Sequence, residues 1–233
     1  VRAKVKGTKV KIRLGASSGE WKAMVADEAA RTTFAKNIKT VLEKNKLDGI
    51  DLDFEWAENE KEYKDYSLAI LKMREVLGDK YLFSVSLHPV CYKISKEAIE
   101  AVDFISLQCY GPSPVRFPIE KYCSDIQMVL EYGIPREKLV AGVPFYGVTK
   151  DNSKKTEAYF NFVQNGLVTS PAQNEVIYQG DTYVFDGQDN IRIKTRYAKE
   201  QKLKGMMSWD LATDLPLSDS RSLLKTMTEE LRE

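Results

Sequence analysis

The sequence predicts an α/β protein in which a parallel sheet is covered by crossover helices. Short apolar runs alternate with longer helical stretches, the order expected when each strand is followed by a helix that leads into the next parallel strand. The runs VKIRLG, YLFSVSL, FISLQCY, LVAGVPFY and KGMMSW read as buried strands. With 233 residues and 43% hydrophobic content the chain can bury a sizeable core, and a single domain over residues 1–233 is the simplest organisation.

A strand is expected near residues 9–15, then a helix at 26–45, a strand at 47–55, a helix at 59–77 and a strand at 80–87. A short helix at 95–101 leads to a strand at 102–110, a helix at 118–132 and a strand at 138–146. A helix at 189–202, a strand at 204–209 and a final helix at 219–231 complete the chain, giving six strands. Gly78, Gly133 before Ile134-Pro135, and Gly205 after a lysine-rich helix end mark helix stops. Residues 149–187 break the rhythm, with Asn152, Asn161, Asn165, Gly166, Pro171, Asn174, Gly180 and Asp181 in place of helical periodicity. They read as an insertion of hairpins after the strand ending at Tyr146. Insertions after strand carboxyl ends commonly shape the substrate site of a barrel enzyme, and a plain surface loop is the equally weighted alternative.

Charge and cysteine content exclude several functions. Lys plus Arg number 35 and Asp plus Glu 34, so a net charge of +1 provides no global field to recruit nucleic acid or an anionic membrane. A neutral partner suits this balance better. Cys91, Cys109 and Cys123 are too few for a disulfide framework or a structural zinc site and read as packing residues. No run approaches the length of a membrane span, and no apolar signal core opens the chain, which leaves localisation and oligomeric state open on the residues alone.

The chemistry concentrates in LDGIDLDFEW, residues 47–56. Ile50, Leu52 and Phe54 interleave with Asp51, Asp53 and Glu55 at period two, which sends the apolar and acidic sets to opposite faces of one strand. Successive acids on that face stand about 7 Å apart, close enough in a poorly solvated interior that at least one proton is expected to be retained near neutral pH. A carboxylic acid kept beside ionised neighbours is what general acid catalysis on a sugar acetal requires. A solvated edge strand is one competing reading. A divalent metal site is another, since clustered carboxylates suit hard cations, but no loop of cation-binding spacing accompanies it.

Asp48, Asp51, Asp53 and Glu55 fill an Asp-x-x-Asp-x-Asp-x-Glu spacing that resembles the signature of glycoside hydrolase family 18, the chitinases and endo-β-N-acetylglucosaminidases. Further along, ISLQCYG resembles the family strand that brings an active-site tyrosine, GVPFYG its next strand, and GMMSWD its last strand with a floor tryptophan. The resemblance spans essentially the whole chain. It implies a TIM (β/α)8 barrel with the site at the carboxyl ends of the strands, the first two strands apparently absent from this chain, and a small insertion after the seventh strand. Residues 1–7 then read as a helix tail and TKVKIRLG as the third barrel strand.

The resemblance also implies roles. Glu55 protonates the leaving glycosidic oxygen and then acts as base toward water. The substrate's own N-acetyl oxygen attacks the anomeric carbon, so configuration is retained and no second protein nucleophile or cofactor is needed. Asp53 holds the acetamido N–H and stabilises the oxazolinium ion, with Asp51 behind it sharing a proton, while Asp48, on the other parity, anchors the strand start. Tyr110 donates to the acetamido oxygen; a half-buried core tyrosine is the plainer reading. Trp209 provides an apolar floor under the sugar ring, against the alternative of a core tryptophan. Gln108 and Tyr146 complete the implied substrate-binding set, with no metal.

Two departures bear on the substrate. Gln108-Cys109-Tyr110-Gly111 stands where the family's chitinases often carry Met-x-Tyr-Asp. Gln108 is more like the glycan-cleaving endo-β-N-acetylglucosaminidases, whereas YVFDGQDNIRIKTRYAKEQKLKG is more like bacterial chitinases. The partner is therefore chitin or another N-acetylglucosamine-containing oligosaccharide, and the family implies a secreted or cell-surface protein. The insertion is shorter than that of deep-groove chitinases, which predicts a shallower cleft. His88, the sole histidine, ends its strand and is given no role.

Overall fold

The structure is a computed structural model and describes residues 10–17 and 19–233; the expected helix tail at residues 1–7 lies outside the described residues. The chain divides into two compact units, Val1–Ile105 and Ser106–Glu233.

In the first unit the order is β1 (Arg13–Ser17), α1 (Trp21–Ala26), α2 (Glu28–Asn45), β2 (Gly49–Asp53), α3 (Glu60–Leu77), β3 (Leu82–Leu87), α4 (Lys96–Ala101) and the start of β4 (Phe104–Leu107), within which the unit boundary falls. β1 and β3 flank β2 in parallel, with Arg13 opposite Gly49, Gly15 opposite Asp51, and Asp51 opposite Ser84. The helix expected over 26–45 is α2, and α1, which precedes it, was not expected. Asp27 takes an extended conformation and its carboxylate accepts the Ala30 N–H at 2.7 Å, capping α2 and ending α1. Asn59 caps α3 in the same way through the Glu62 N–H, and Gly78 ends that helix with φ of 60°. The apolar set of β2, Ile50 and Leu52, is buried with Phe54; the Tyr66 ring of α3 meets the Phe54 ring at 5.4 Å, and Trp21 stacks on Phe54 at 5.4 Å. Burial of this face turns the acids of β2 to the other side of the strand. Gly49 is required by space, because a Cβ there would stand 1.9 Å from the Leu82 carbonyl oxygen.

In the second unit β4 is followed by α5 (Ile119–Tyr132), β5 (Leu139–Pro144), β6 (Tyr146–Thr149), β7 (Thr156–Ala158), α6 (Tyr159–Gln164), β8 (Glu175–Tyr178), β9 (Asp181–Val184), α7 (Gln188–Glu200), β10 (Gly205–Trp209) and α8 (Leu223–Arg232). β5 and β10 pair in parallel. The strand expected over 138–146 divides at Phe145, and its end becomes β6, which leaves the parallel set for an antiparallel sheet ordered β7-β6-β9-β8. Three of its four strands, β7, β8 and β9, lie within the segment 149–187. Gln179 and Gly180, both with positive φ, make the two-residue turn that joins β8 to β9, and Phe162 of α6 seals one face against Tyr183 and Phe185 at 5.5 and 5.4 Å. Gly133 ends α5 as expected, with φ of 112°. Gly205 does not end a helix. Lys202, with φ of 54°, and the Leu203 N–H donating to the Ala198 carbonyl close α7 earlier, so Gly205 is the first residue of β10.

Candidate active site

The expected site residues divide between the units. In the first, Asp51 and Asp53 sit half-buried on β2, and Glu55 follows two residues past the strand end, exposed to solvent. The Trp21 indole N–H donates to the Glu55 carbonyl at 3.0 Å and fixes the chain where it leaves the strand. The Glu55–Trp56 peptide is cis. Asp51 is held from both sides: its Oδ1 accepts from Arg13 Nη1 at 3.2 Å and from Ser84 Oγ, and its Oδ2 accepts from Ser86 Oγ at 2.7 Å. The Arg13 guanidinium also donates to Ser84 Oγ and lies 4.6 Å from the centre of the Phe104 ring. Asp48 anchors the start of β2 as expected, its carboxylate accepting the Ile12 N–H at 2.7 Å.

His88 is buried at the end of β3. Its Nδ1 accepts the Val90 N–H at 3.2 Å, which leaves the ring proton on Nε2, and its ring lies 4.9 Å from that of Trp56. The Ala57 N–H donates to Cys91 Sγ, and burial pushes the Cys91 thiol up, as it does the Tyr66 hydroxyl. Neither is a source of charge beside the acids.

In the second unit Gln108 and Tyr110 are buried just beyond β4, and Tyr146 is half-buried at the start of β6. The Tyr110 and Tyr146 rings meet edge to face at 6.4 Å, and the Tyr110 hydroxyl donates to Met207 Sδ at 3.5 Å. Gly142 makes room for this: a Cβ there would stand 2.9 Å from Tyr110 Cε1 and 2.7 Å from the Leu107 carbonyl oxygen. Trp209, last residue of β10 and opposite Pro144, is 54% exposed, so it is not a core tryptophan. Cys109 is buried, and burial pushes its thiol well up. Among the described residues no group of three or more His, Cys, Asp or Glu is placed to hold a metal ion, and no helix is long and apolar enough to cross a membrane.

Sequence reasoning missed Arg13, Ser84 and Ser86. The signal for the serines was present: in YLFSVSL they alternate with apolar residues at the same period of two that exposes the acids of β2.

Residues 1–214 match the model of glycosyl hydrolases family 18, and the chain belongs to that family. It is 23% identical to the probable chitinase 2 of Drosophila melanogaster over 88% of this chain and 56% of that protein, and it spans about half the length of the curated relatives it matches. Among solved structures it is similar to the chitinase ChiB from the chitin utilization locus of Flavobacterium johnsoniae, at a TM-score of 0.78 and 27% identity, covering 95% of this chain and 74% of that one. The chitinase-like agglutinin RobpsCRA from Robinia pseudoacacia has the same fold, at a TM-score of 0.82 and 19% identity, covering 99% of this chain and 83% of that one. The fold class is therefore the α/β barrel of this family, of which the described residues supply six parallel strands, β1 to β5 and β10.

Proposed function

We propose that this chain carries the machinery of a retaining glycoside hydrolase acting on β-1,4-linked N-acetylglucosamine in chitin or chito-oligosaccharides. One observation carries the reading: the acid row of β2 runs from an anchored Asp51 through a half-buried Asp53 to a solvent-exposed Glu55 just past the strand's carboxyl end. An exposed carboxyl at the end of a row of acids can reach a substrate oxygen, while the acids behind it supply negative charge where positive charge develops.

In this reading Glu55 gives its proton to the leaving oxygen as the substrate's acetamido oxygen bonds to the anomeric carbon. Asp53 accepts the acetamido N–H and stabilises the oxazolinium ion; Glu55, now a carboxylate, takes a proton from the water that opens it. Tyr110 orients the acetamido oxygen, Trp209 offers its exposed indole face to the sugar ring, and Gln108 and Tyr146 take further substrate contacts.

The test is Glu55→Gln. Turnover of chitotetraose should fall by at least the 10²- to 10⁴-fold that general acid catalysis contributes, with the fold and the affinity for the oligomer retained; undiminished turnover would remove Glu55 from the reaction. Gln108 favours a second reading, cleavage of the chitobiose core of N-glycans, which requires release of glycan from a high-mannose glycoprotein. A sugar-binding protein without turnover requires chito-oligomer binding with no product; the presence of Glu55 argues against it.

A further inference from the structure

We infer that Arg13 is a positioning residue for the acid row: it supplies Asp51 with a permanent counter-charge and ties it to β3 as an acceptor-only carboxylate, leaving Asp53 to act without sharing Asp51's proton. The inference deepens the hydrolase reading and rests on it for its kinetic consequence.

The geometry begins with two glycines. Gly49 is opposite Arg13 and Gly15 is opposite Asp51, so no side chain from either position interposes between the β1 guanidinium and the β2 carboxylate. Gly49 cannot acquire one, given the Leu82 carbonyl oxygen against its would-be Cβ. Arg13 crosses this gap to reach Asp51 and Ser84 together, and the Phe104 ring holds its guanidinium from the far side.

The hydrogen bonds all run toward Asp51. A guanidinium has donors only and keeps its proton at any pH a protein survives. Ser84 Oγ accepts from Arg13 and so directs its own hydrogen at Asp51 Oδ1, and Ser86 donates to Oδ2. A proton on Oδ1 would point at a guanidinium that cannot accept it and at a serine already donating. Three acids on one strand face favour a retained proton; the Arg13 charge beside Asp51 opposes it.

Among the described residues, the other charged and titratable groups of the first unit near the row do not replace Arg13. Lys22 is taken by Glu58 and Glu62, at 3.1 and 2.9 Å. Tyr66 of α3 and Cys91 beyond β3 stay protonated through burial, and His88 accepts from Val90 at Nδ1. Asp48, on the opposite parity, is bound to the Ile12 amide.

The experiment follows carboxyl ¹³C shifts of Asp and Glu against pH in the unmodified protein, Arg13→Met and Arg13→Lys, with the pH profile of chitotetraose hydrolysis measured in parallel. Loss of the positive charge beside Asp51 should move the carboxyl titration of the acid row to higher pH, and the acid limb of turnover should rise with it. Arg13→Lys, which restores charge without the fork, should return both close to their original position. If Arg13→Met does not fold, Arg13→Gln, which keeps a donor and removes the charge, reads the same shift. Carboxyl titrations that stay in place when the charge is removed overturn the inference, whatever happens to activity. A shifted titration in a protein that cleaves no chito-oligomer upholds the electrostatics and rejects the hydrolase reading instead.

Discussion

Lys194 Nζ lies 2.6 Å from Asp186 Oδ2, and the two side chains are 1% and 0% exposed. Asp186 precedes Gly187, the N-cap of α7, and Lys194 lies two turns into that helix, so the pair ties the helix to the segment that leads out of the insertion. Asn190 donates to the other carboxylate oxygen at 3.3 Å, and the rings of Tyr122 and Phe117 lie 5.4 and 6.0 Å from the ammonium. Removing one partner strands a charge in the interior, which costs about 3–5 kcal/mol, whereas removing both is much better tolerated. We predict that Lys194→Met lowers the urea midpoint strongly and that Lys194→Met combined with Asp186→Leu regains much of the loss. A single variant as stable as the parent would show the pair to be dispensable.

The seat of Tyr110 on Gly142 sets a second prediction. The carbonyl of Leu107 closes the space beside Gly142 and is backbone, so it cannot rotate away, and a Cβ there also crowds the Met207 methyl and the Tyr110 ring. Gly142→Ala is expected to cost about 1–3 kcal/mol by overpacking and to lower turnover beyond what that loss of folded protein explains. Urea unfolding with parallel kinetics at full folding separates the two effects, and unchanged turnover per folded molecule would free Tyr110 from any need for this placement.

The acid row could be read from the sequence because a half-buried strand writes its two faces at period two, and Asp51, Asp53 and Glu55 occupy one of them without interruption. Arg13 could not, because it continues a period-two row of cations with Lys9 and Lys11 and nothing local singles it out, and its partners lie 38 and 71 residues away. The division of the β5–β6 stretch was hidden for a different reason. LVAGVPFYGVT shows no period-two alternation, so periodicity does not separate the parallel strand from the antiparallel one, and Pro144 is the local mark of the division at Phe145. The break between α1 and α2 depends on Asp27 choosing the Ala30 amide over the helix, a competition between side-chain and backbone hydrogen bonds that helical periodicity does not register.

Trp209 tests the sugar-binding half of the proposal apart from catalysis. Its side chain is half-exposed, so Trp209→Ala should shift stability by no more than about 0.5 kcal/mol. A lost aromatic face contributes about 0.5–1.5 kcal/mol to binding, which corresponds to a weakening of up to roughly tenfold. Calorimetric titration of chitotetraose into Glu55→Gln with and without Trp209→Ala measures this in the absence of turnover. Equal affinity in the two proteins would remove Trp209 from the substrate contacts.

Asp219 gives the stability a predictable acid dependence. Its carboxylate accepts from Arg221 Nη2 at 2.7 Å, from Nε at 2.9 Å and from the Arg221 backbone N–H at 2.9 Å. The Arg221 guanidinium and then this backbone bond hold it down at about 2. An unfolded aspartate titrates at about 3.9, so the folded protein binds fewer protons between the two values. Asp219 therefore adds stability that is fully present above about pH 4 and is lost as pH falls through about 2. The clasp is solvent-exposed, so its contribution is small and salt-screened, but its pH window is narrow and its sign is fixed. Urea midpoints across that window should fall less steeply for Asp219→Asn than for the parent, and the two proteins should converge once the pH is low enough to protonate Asp219 in the folded state. Parallel curves through the window would mean that the Arg221 clasp does not persist in solution.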